Sequence, residues 1–293
     1  MNFQLEVTIG GSNVLDAELI DRLTAWVDAL PAFRPTVQRI VVLSKEMHCA
    51  PRDLVHVIES DPVVMVKVLK VLNSAQYGYG RNITSVNQAV AILGFNTIKN
   101  LAMGIADTGV LPAKNVGGFD AQRYLLHSLT TAAVARSLAA QRPDADPQDY
   151  YIAGLLHDFG KVMIAQYKPS RFRQALDTSL WEGSALHTNL QSIAGMNHAQ
   201  ICSGLLENWG FKEALVTAIR LQYEPEVAAS HLVATLYAAN LISKTLLPNE
   251  SGVSTYDLPD CVQHMLGGNF STVYNALGDL QAIVDAARSN AAL

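Results

Sequence analysis

The sequence predicts an all-α protein built as two helical lobes, and three observations carry that reading. Apolar residues recur at three- and four-residue spacing along most of the chain, as in Val64, Met65, Val68, Leu69 and Leu72. Helix-opening residues precede many of these runs, among them Asp146-Pro147, Ser60-Asp61-Pro62 and Asn197. One stretch, residues 112–118 (PAKNVGG), is rich in Pro and Gly and has almost no apolar periodicity, so it reads as a linker. It divides residues 30–111 from 119–288 and leaves 1–29 as an N-terminal extension.

In chain order, Phe3–Ile9 alternate as a strand does and stop at Gly10-Gly11, and residues 1–14 read as a partly ordered arm. A helix follows to about Leu30, with Leu19, Ile20, Leu23, Trp26 and Val27 inward. Pro31 and Pro35 open a helix that reaches His48, and Pro51 starts another to Glu59. Ser60-Asp61-Pro62 caps the next, to about Asn73. The loop Tyr77–Arg81 offers two aromatics and a cation and is a candidate partner-binding segment. Ser85 and Gln88 form a capping box for Val86–Leu93, which Gly94 joins to a helix ending near Ile105.

Beyond the linker, Asp120 caps a long helix to about Gln141 that carries His127. The stretch Ala153–Lys161, AGLLHDFGK, is the centre of the second lobe. Its helix runs from Pro147 to about His157, and Gly160 supplies a left-handed end. Asp158 then stands at a helix C-terminus, where the macrodipole is negative. It needs a cation beside it: a metal ion, a protonated His, or Lys161. A helical segment follows to Pro169, then one over 171–180, a turn at 181–184, and a helix through Gln191. Asn197 caps a helix to Trp209, Lys212–Tyr223 is helical, Ser230 caps 231–247, and a last helix spans 271–288.

Composition limits the function. Of 293 residues 49% are hydrophobic, enough for a large core. The net charge of −5 gives no bulk cationic field for nucleic acid or anionic lipid. A local +4 from Lys67, Lys70, Arg81 and Lys99, with no acid between Pro62 and Ala106, leaves −9 for the rest. Four dispersed cations read as a solvated basic face, and they argue against nucleic acid as the partner. Cys49, Cys202 and Cys261 form no metal-binding pair and suit a reduced compartment. No apolar run approaches the ~18 residues of a membrane span, and no leader peptide is visible, so the expectation is a cytoplasmic protein without membrane contact.

These residues carry a resemblance. The adjacent His157-Asp158 after an apolar helix, followed by Gly160 and Lys161, resembles the HD superfamily of helical, metal-dependent phosphohydrolases. Leu30-Pro31, Ser60-Asp61-Pro62, Asn73-Ser74-Ala75 and Ala89–Gly94 (AVAILG) follow in the order found in its HDOD branch, the HD-related output domains. The resemblance implies an HD-like helical bundle for the C-terminal lobe and a signalling or regulatory module that binds a signalling protein or a nucleotide-type ligand. The alternative it implies is a nucleotide or cyclic-dinucleotide phosphodiesterase. It also implies a metal set: His127, His157 and Asp158, with Asn240 where the family carries an Asp, His198 as a further ligand, and Lys161 as a phosphate contact. Binuclear HD-GYP relatives carry a His-His pair where this chain has Gln222-Tyr223. One carboxylate fewer weakens a dication site. The resemblance therefore implies no cofactor, or a weakly bound divalent metal, with Fe, Mn or Ni favoured by imidazole ligands. The oligomeric state is left open.

Overall fold

In the computed structural model the apolar stripes read from the sequence become helices that pack on one continuous core. It describes residues 17–45, 50–73, 85–106, 109–112, 117–247 and 257–292. The segment Phe3–Ile9, the loop Tyr77–Arg81 and residues 113–116 of the linker lie outside the described residues. No strand forms among those described, and Ala32 and Val110 make an isolated parallel bridge.

The first half comprises α1 (Ala17–Ala29), α2 (Arg34–Lys45), α3 (Pro51–Glu59), α4 (Pro62–Asn73), α5 (Val86–Leu93) and α6 (Phe95–Ala106). Asp61 pins them. Its carboxylate is fully buried; Oδ1 accepts from the N–H groups of Val63 (2.8 Å) and Val64 (3.0 Å), and Oδ2 accepts from Phe33 N–H (2.9 Å). One side chain thus caps α4 and fixes the turn before α2. The basic face predicted for this half is smaller than its sequence suggests. Lys67 is buried, and its ammonium donates to the carbonyls of Asp28 (2.9 Å) and Leu30 (2.6 Å), at the negative end of α1. Lys70 donates to Asp28 Oδ1 at 2.6 Å. Two of the four cations are thereby engaged with α1.

The second half comprises α7 (Ala121–Ala139), α8 (Pro147–Leu156), α9 (Phe159–Tyr167), α10 (Pro169–Glu182), α11 (Leu186–Ala194), α12 (His198–Asn208), α13 (Glu213–Arg220), α14 (His231–Leu246), α15 (Asp260–Leu266), α16 (Phe270–Asn275) and α17 (Leu280–Ala292). Helix α7 is the axis, packed against α8, α14 and α17. Asp120, Asp146 and Asn197 cap α7, α8 and α12 as predicted, Asn197 in a reciprocal box with Gln200. Ser230 precedes α14 but makes no side-chain cap. The turn predicted at 181–184 begins later, because α10 runs to Glu182 and ends at left-handed Gly183; this leaves Trp181 exposed. The single tail helix predicted over 271–288 is broken, with Gly278 left-handed between α16 and α17.

The two halves meet through specific groups. Tyr151 on α8 donates its hydroxyl to Glu59 O, and Gln148 Nε2 donates to Glu59 Oε1, both at 3.0 Å. Helix α1 packs on α4, α9 and α12. Its Trp26 stacks on Tyr167 at the far end of α9, with centroids 4.5 Å apart, and the Tyr167 hydroxyl donates to Trp26 O at 2.6 Å.

Candidate functional site

Two glycines bring the candidate residues together. A Cβ on Gly154 of α8 would stand 2.5 Å from Ala132 Cα and 2.8 Å from Thr131 O on α7. The bare backbone lets α7 and α8 cross in direct contact, which sets His127 beside His157. A Cβ on Gly160 would meet His198 O at 2.1 Å, so α9 and the start of α12 also touch backbone to backbone. That contact brings His198 to Asp158. The left-handed role predicted for Gly160 is therefore corrected: it lies within α9 in ordinary helical backbone, and close approach is what requires it. The position of Asp158 is corrected too. Helix α8 ends at Leu156, and Asp158 is the N-cap of α9, where the macrodipole favours a carboxylate. It makes no capping bond, and its oxygens face other side chains.

His127, His157 and Asp158 are buried, and one donor atom from each lies within 4.8 Å of the others. The two Nε2 atoms are 3.3 Å apart; Asp158 Oδ2 lies 3.3 Å from His157 Nε2 and 3.6 Å from His127 Nε2. Lys161 Nζ reaches the same oxygen at 2.5 Å. His198, predicted at a helix start where exposure is common, is fully buried, with Nε2 3.0 Å from Asp158 Oδ1 and 2.8 Å from the Tyr223 hydroxyl. Gln222 donates its amide to the carbonyls of His157 (2.8 Å) and Ile219 (3.1 Å). Asn240 is buried on α14 with its Oδ1 unbonded, and it does not line the cleft over the cluster. Ser243, one turn further along α14, is the residue that meets His127.

The outer hydrogen bonds set the tautomers. His157 Nδ1 lies 2.7 Å from Gly154 O; a carbonyl only accepts, so Nδ1 carries the proton. Ser243 Oγ lies 3.1 Å from His127 Nδ1 and 3.3 Å from His127 O; when the hydroxyl donates to the carbonyl, it accepts from Nδ1–H. With both rings in the neutral form that a metal ion requires, the Nε2 lone pairs are left facing each other and Asp158. Burial, together with His157, Lys161 and Lys244, holds His127 well below the usual imidazole range against the pull of Asp158, so it is neutral. His198 is likewise pushed down to about 4, by burial first. Burial works to raise Asp158, but His157, Lys161 and His198 outweigh it and hold the carboxyl well below its usual range.

This donor set fits a divalent ion. Adjacent ligands about 2.1 Å from one ion stand about 3 Å apart, close to the 3.3 Å between the two Nε2 atoms. Neutral imidazoles with their second nitrogen fixed are the form that binds metal.

Above the cluster lies a cleft of about 550 Å³, lined by Arg123, His127, Asp158, Lys161, His187, His198, Tyr223 and Lys244 among others. His187 carries no site signal in the sequence. Here its ring stacks on Tyr223, centroids 3.9 Å apart and planes within 7°. Arg123, Lys244 and Ser243 carried no sequence signal, because each lies one turn from a residue that did and only the helix crossings turn it inward.

Residues 30–225 match the HDOD domain family. An uncharacterized protein of Treponema pallidum (strain Nichols) is 24% identical over 237 residues, 79% of this chain. The chain spans 45% of the length of that relative. Among solved structures, the MmoQ response regulator of Methylococcus capsulatus str. Bath is similar with a TM-score of 0.71 and 20% identity, over 85% of this chain and 98% of that one. A virulence factor of Campylobacter jejuni subsp. jejuni gives 0.62 and 20%, over 81% and 86%. An HDOD domain protein of Geobacter sulfurreducens gives 0.50 and 21%, over 94% and 96%. These likenesses establish the helical fold.

Proposed function

The chain belongs to the HDOD family, and from that premise we propose that it is a regulatory, signal-transducing module that works by binding and not by turnover. Its HD metal site is read as degenerate, a single-ion site at His127, His157 and Asp158. One observation carries this reading: the side chains beside the three donors are engaged with the protein itself. His198 lies between Asp158 and Tyr223, and Gln222 bonds two backbone carbonyls. The family resemblance puts Asn240, a neutral side chain, where the family carries an Asp, so one anionic ligand is missing. No ligand set for a second ion is left among these residues.

His127, His157 and Asp158 would hold a divalent ion, and the chemistry it would supply is a fixed positive charge toward a phosphoryl oxygen. Imidazole donors favour Fe, Mn or Ni over Mg. The rest is done by the chain. Gly154 O and Ser243 Oγ hold the two rings in register, and the cleft presents Lys161, Arg123 and Lys244 to a nucleotide-type ligand or to an acidic segment of a signalling protein. The Methylococcus relative's name, a response regulator, supports a signalling role. The division into a lobe over 30–111 and an HD-like lobe over 119–288 is kept as part of this proposal.

The test is metal analysis of the purified protein together with a phosphodiesterase screen. The expected result is substoichiometric Fe, Mn or Ni and no turnover. Stoichiometric metal with hydrolysis of a phosphodiester would establish the alternative, a metal-dependent phosphohydrolase.

A further inference from the structure

Lys161 and a divalent ion want the same atom. Asp158 Oδ2 is the oxygen that both imidazole Nε2 atoms face, and the Lys161 ammonium sits on it at 2.5 Å. We propose that Lys161 is a latch on the metal site: it holds Asp158 while the cleft is empty, and a phosphate-bearing small molecule entering the cleft draws it off, so that anion and ion bind with positive coupling. The inference rests on reading His127, His157 and Asp158 as an ion site.

Geometry supports the latch. The Asp158 side chain is 2% exposed and that of Lys161 is 19% exposed, so the ammonium reaches inward from the cleft wall to a buried carboxylate. A lysine stem is flexible, and rotation about its bonds moves the ammonium into the cleft without moving α9. Charge supplies the drive. In the form that takes an ion, two neutral imidazoles and one carboxylate sum to −1, which Lys161 cancels. A dication added to that set leaves +2 in a site almost closed to water, a costly arrangement. An anion on Lys161, in a cleft also lined by Arg123 and Lys244, reduces that excess. Asp120, the other carboxylate in the lining, accepts from the Arg123 backbone N–H as the cap of α7. The His187–Tyr223 stack gives the cleft a flat wall and more room than inorganic phosphate fills, which points to a phosphate ester. Coupling is reciprocal, so the ion must tighten the anion by the same factor.

The test titrates Mn²⁺ into the metal-free full chain by calorimetry, with and without sodium sulfate at fixed ionic strength. Sulfate stands in for phosphate and binds Mn²⁺ only weakly in solution. Sulfate is expected to tighten Mn²⁺ binding to the wild type by at least about fivefold, the lower end of ordinary coupling. Lys161→Met should bind Mn²⁺ tighter by a similar factor with no anion present, and lose the sulfate effect. Lys161→Arg, which keeps the charge, should stay near the wild type. Mn²⁺ binding that is unchanged by sulfate in the wild type, or equal in Lys161→Met and wild type, overturns the latch and leaves the ion site standing. No Mn²⁺ binding by either protein overturns both. The sulfate arm needs no variant, so misfolding of Lys161→Met does not rescue the proposal.

Discussion

Asp61 and Asp158 are both fully buried, and both stand at the N-cap of a helix, yet they serve opposite ends. Asp61 accepts three backbone N–H groups and holds the first half of the chain together. Asp158 accepts none and keeps its oxygens for His157, His198 and Lys161. Burial raises the Asp61 carboxyl and its hydrogen bonds offset that only in part; Asp158 is held low because charged and polar side chains overcome its burial. A buried carboxylate bonded to backbone is part of the frame. One that faces side chains on three helices is a site, because side chains can move or be exchanged for a ligand and backbone cannot.

The sharpest break of that comparison is in stability. Asp61→Ala orphans three buried N–H groups and is expected to cost roughly 3–5 kcal/mol in urea unfolding. Asp158→Ala frees Lys161 to turn to solvent and leaves neutral rings, and should cost only about 1–2 kcal/mol while abolishing Mn²⁺ binding. Equal losses would mean that Asp158 is frame as well. Next comes the backbone contact behind Asp158. Gly160→Ala must push α9 off α12 and is expected to cost about 3 kcal/mol, with loss of ion binding. Ser243→Ala removes the partner of His127 Nδ1; ion affinity should drop about tenfold with stability changed by less than about 1 kcal/mol.

The smallest effect tests the rule with a third carboxyl. Glu59, partly buried, receives a side-chain bond from Gln148, and burial outweighs the charge of Arg136 to push it up to about 7. A raised native value means its contribution is full below the unfolded value near 4.5 and is lost as pH rises through about 7. Between about pH 5 and 8 the wild type should therefore lose roughly 1 kcal/mol relative to Glu59→Gln, after allowance for the solvent that reaches it. A flat difference would show that Glu59 is better satisfied than its bonds indicate.

What the sequence made legible was local. Asp120, Asp146 and Asn197 cap helices by rules that span three residues, and the His157-Asp158 pair is read from adjacent letters. The rest depends on partners far along the chain. Gly160 looks like a helix stop until α12 is set against it, and Lys67 looks like a solvated cation until the end of α1 arrives over its ammonium. His187 is unremarkable until Tyr223 stacks on it. Ser243 has no signature, because any small donor one turn beyond Asn240 would look the same in the sequence.

The crossing at Gly154 has a consequence for the order in which the molecule assembles. His127 and His157 are 30 residues apart on neighbouring helices, so closing α7 on α8 is a short-loop event and entropically cheap. Ser243 is 116 residues from His127. Closure of α7 on α8 is therefore expected to precede the docking of α14, which brings Ser243 to the His127 ring. The pocket is thus finished from its far wall, and a chain interrupted before residue 243 would hold every metal donor and still lack a settled site.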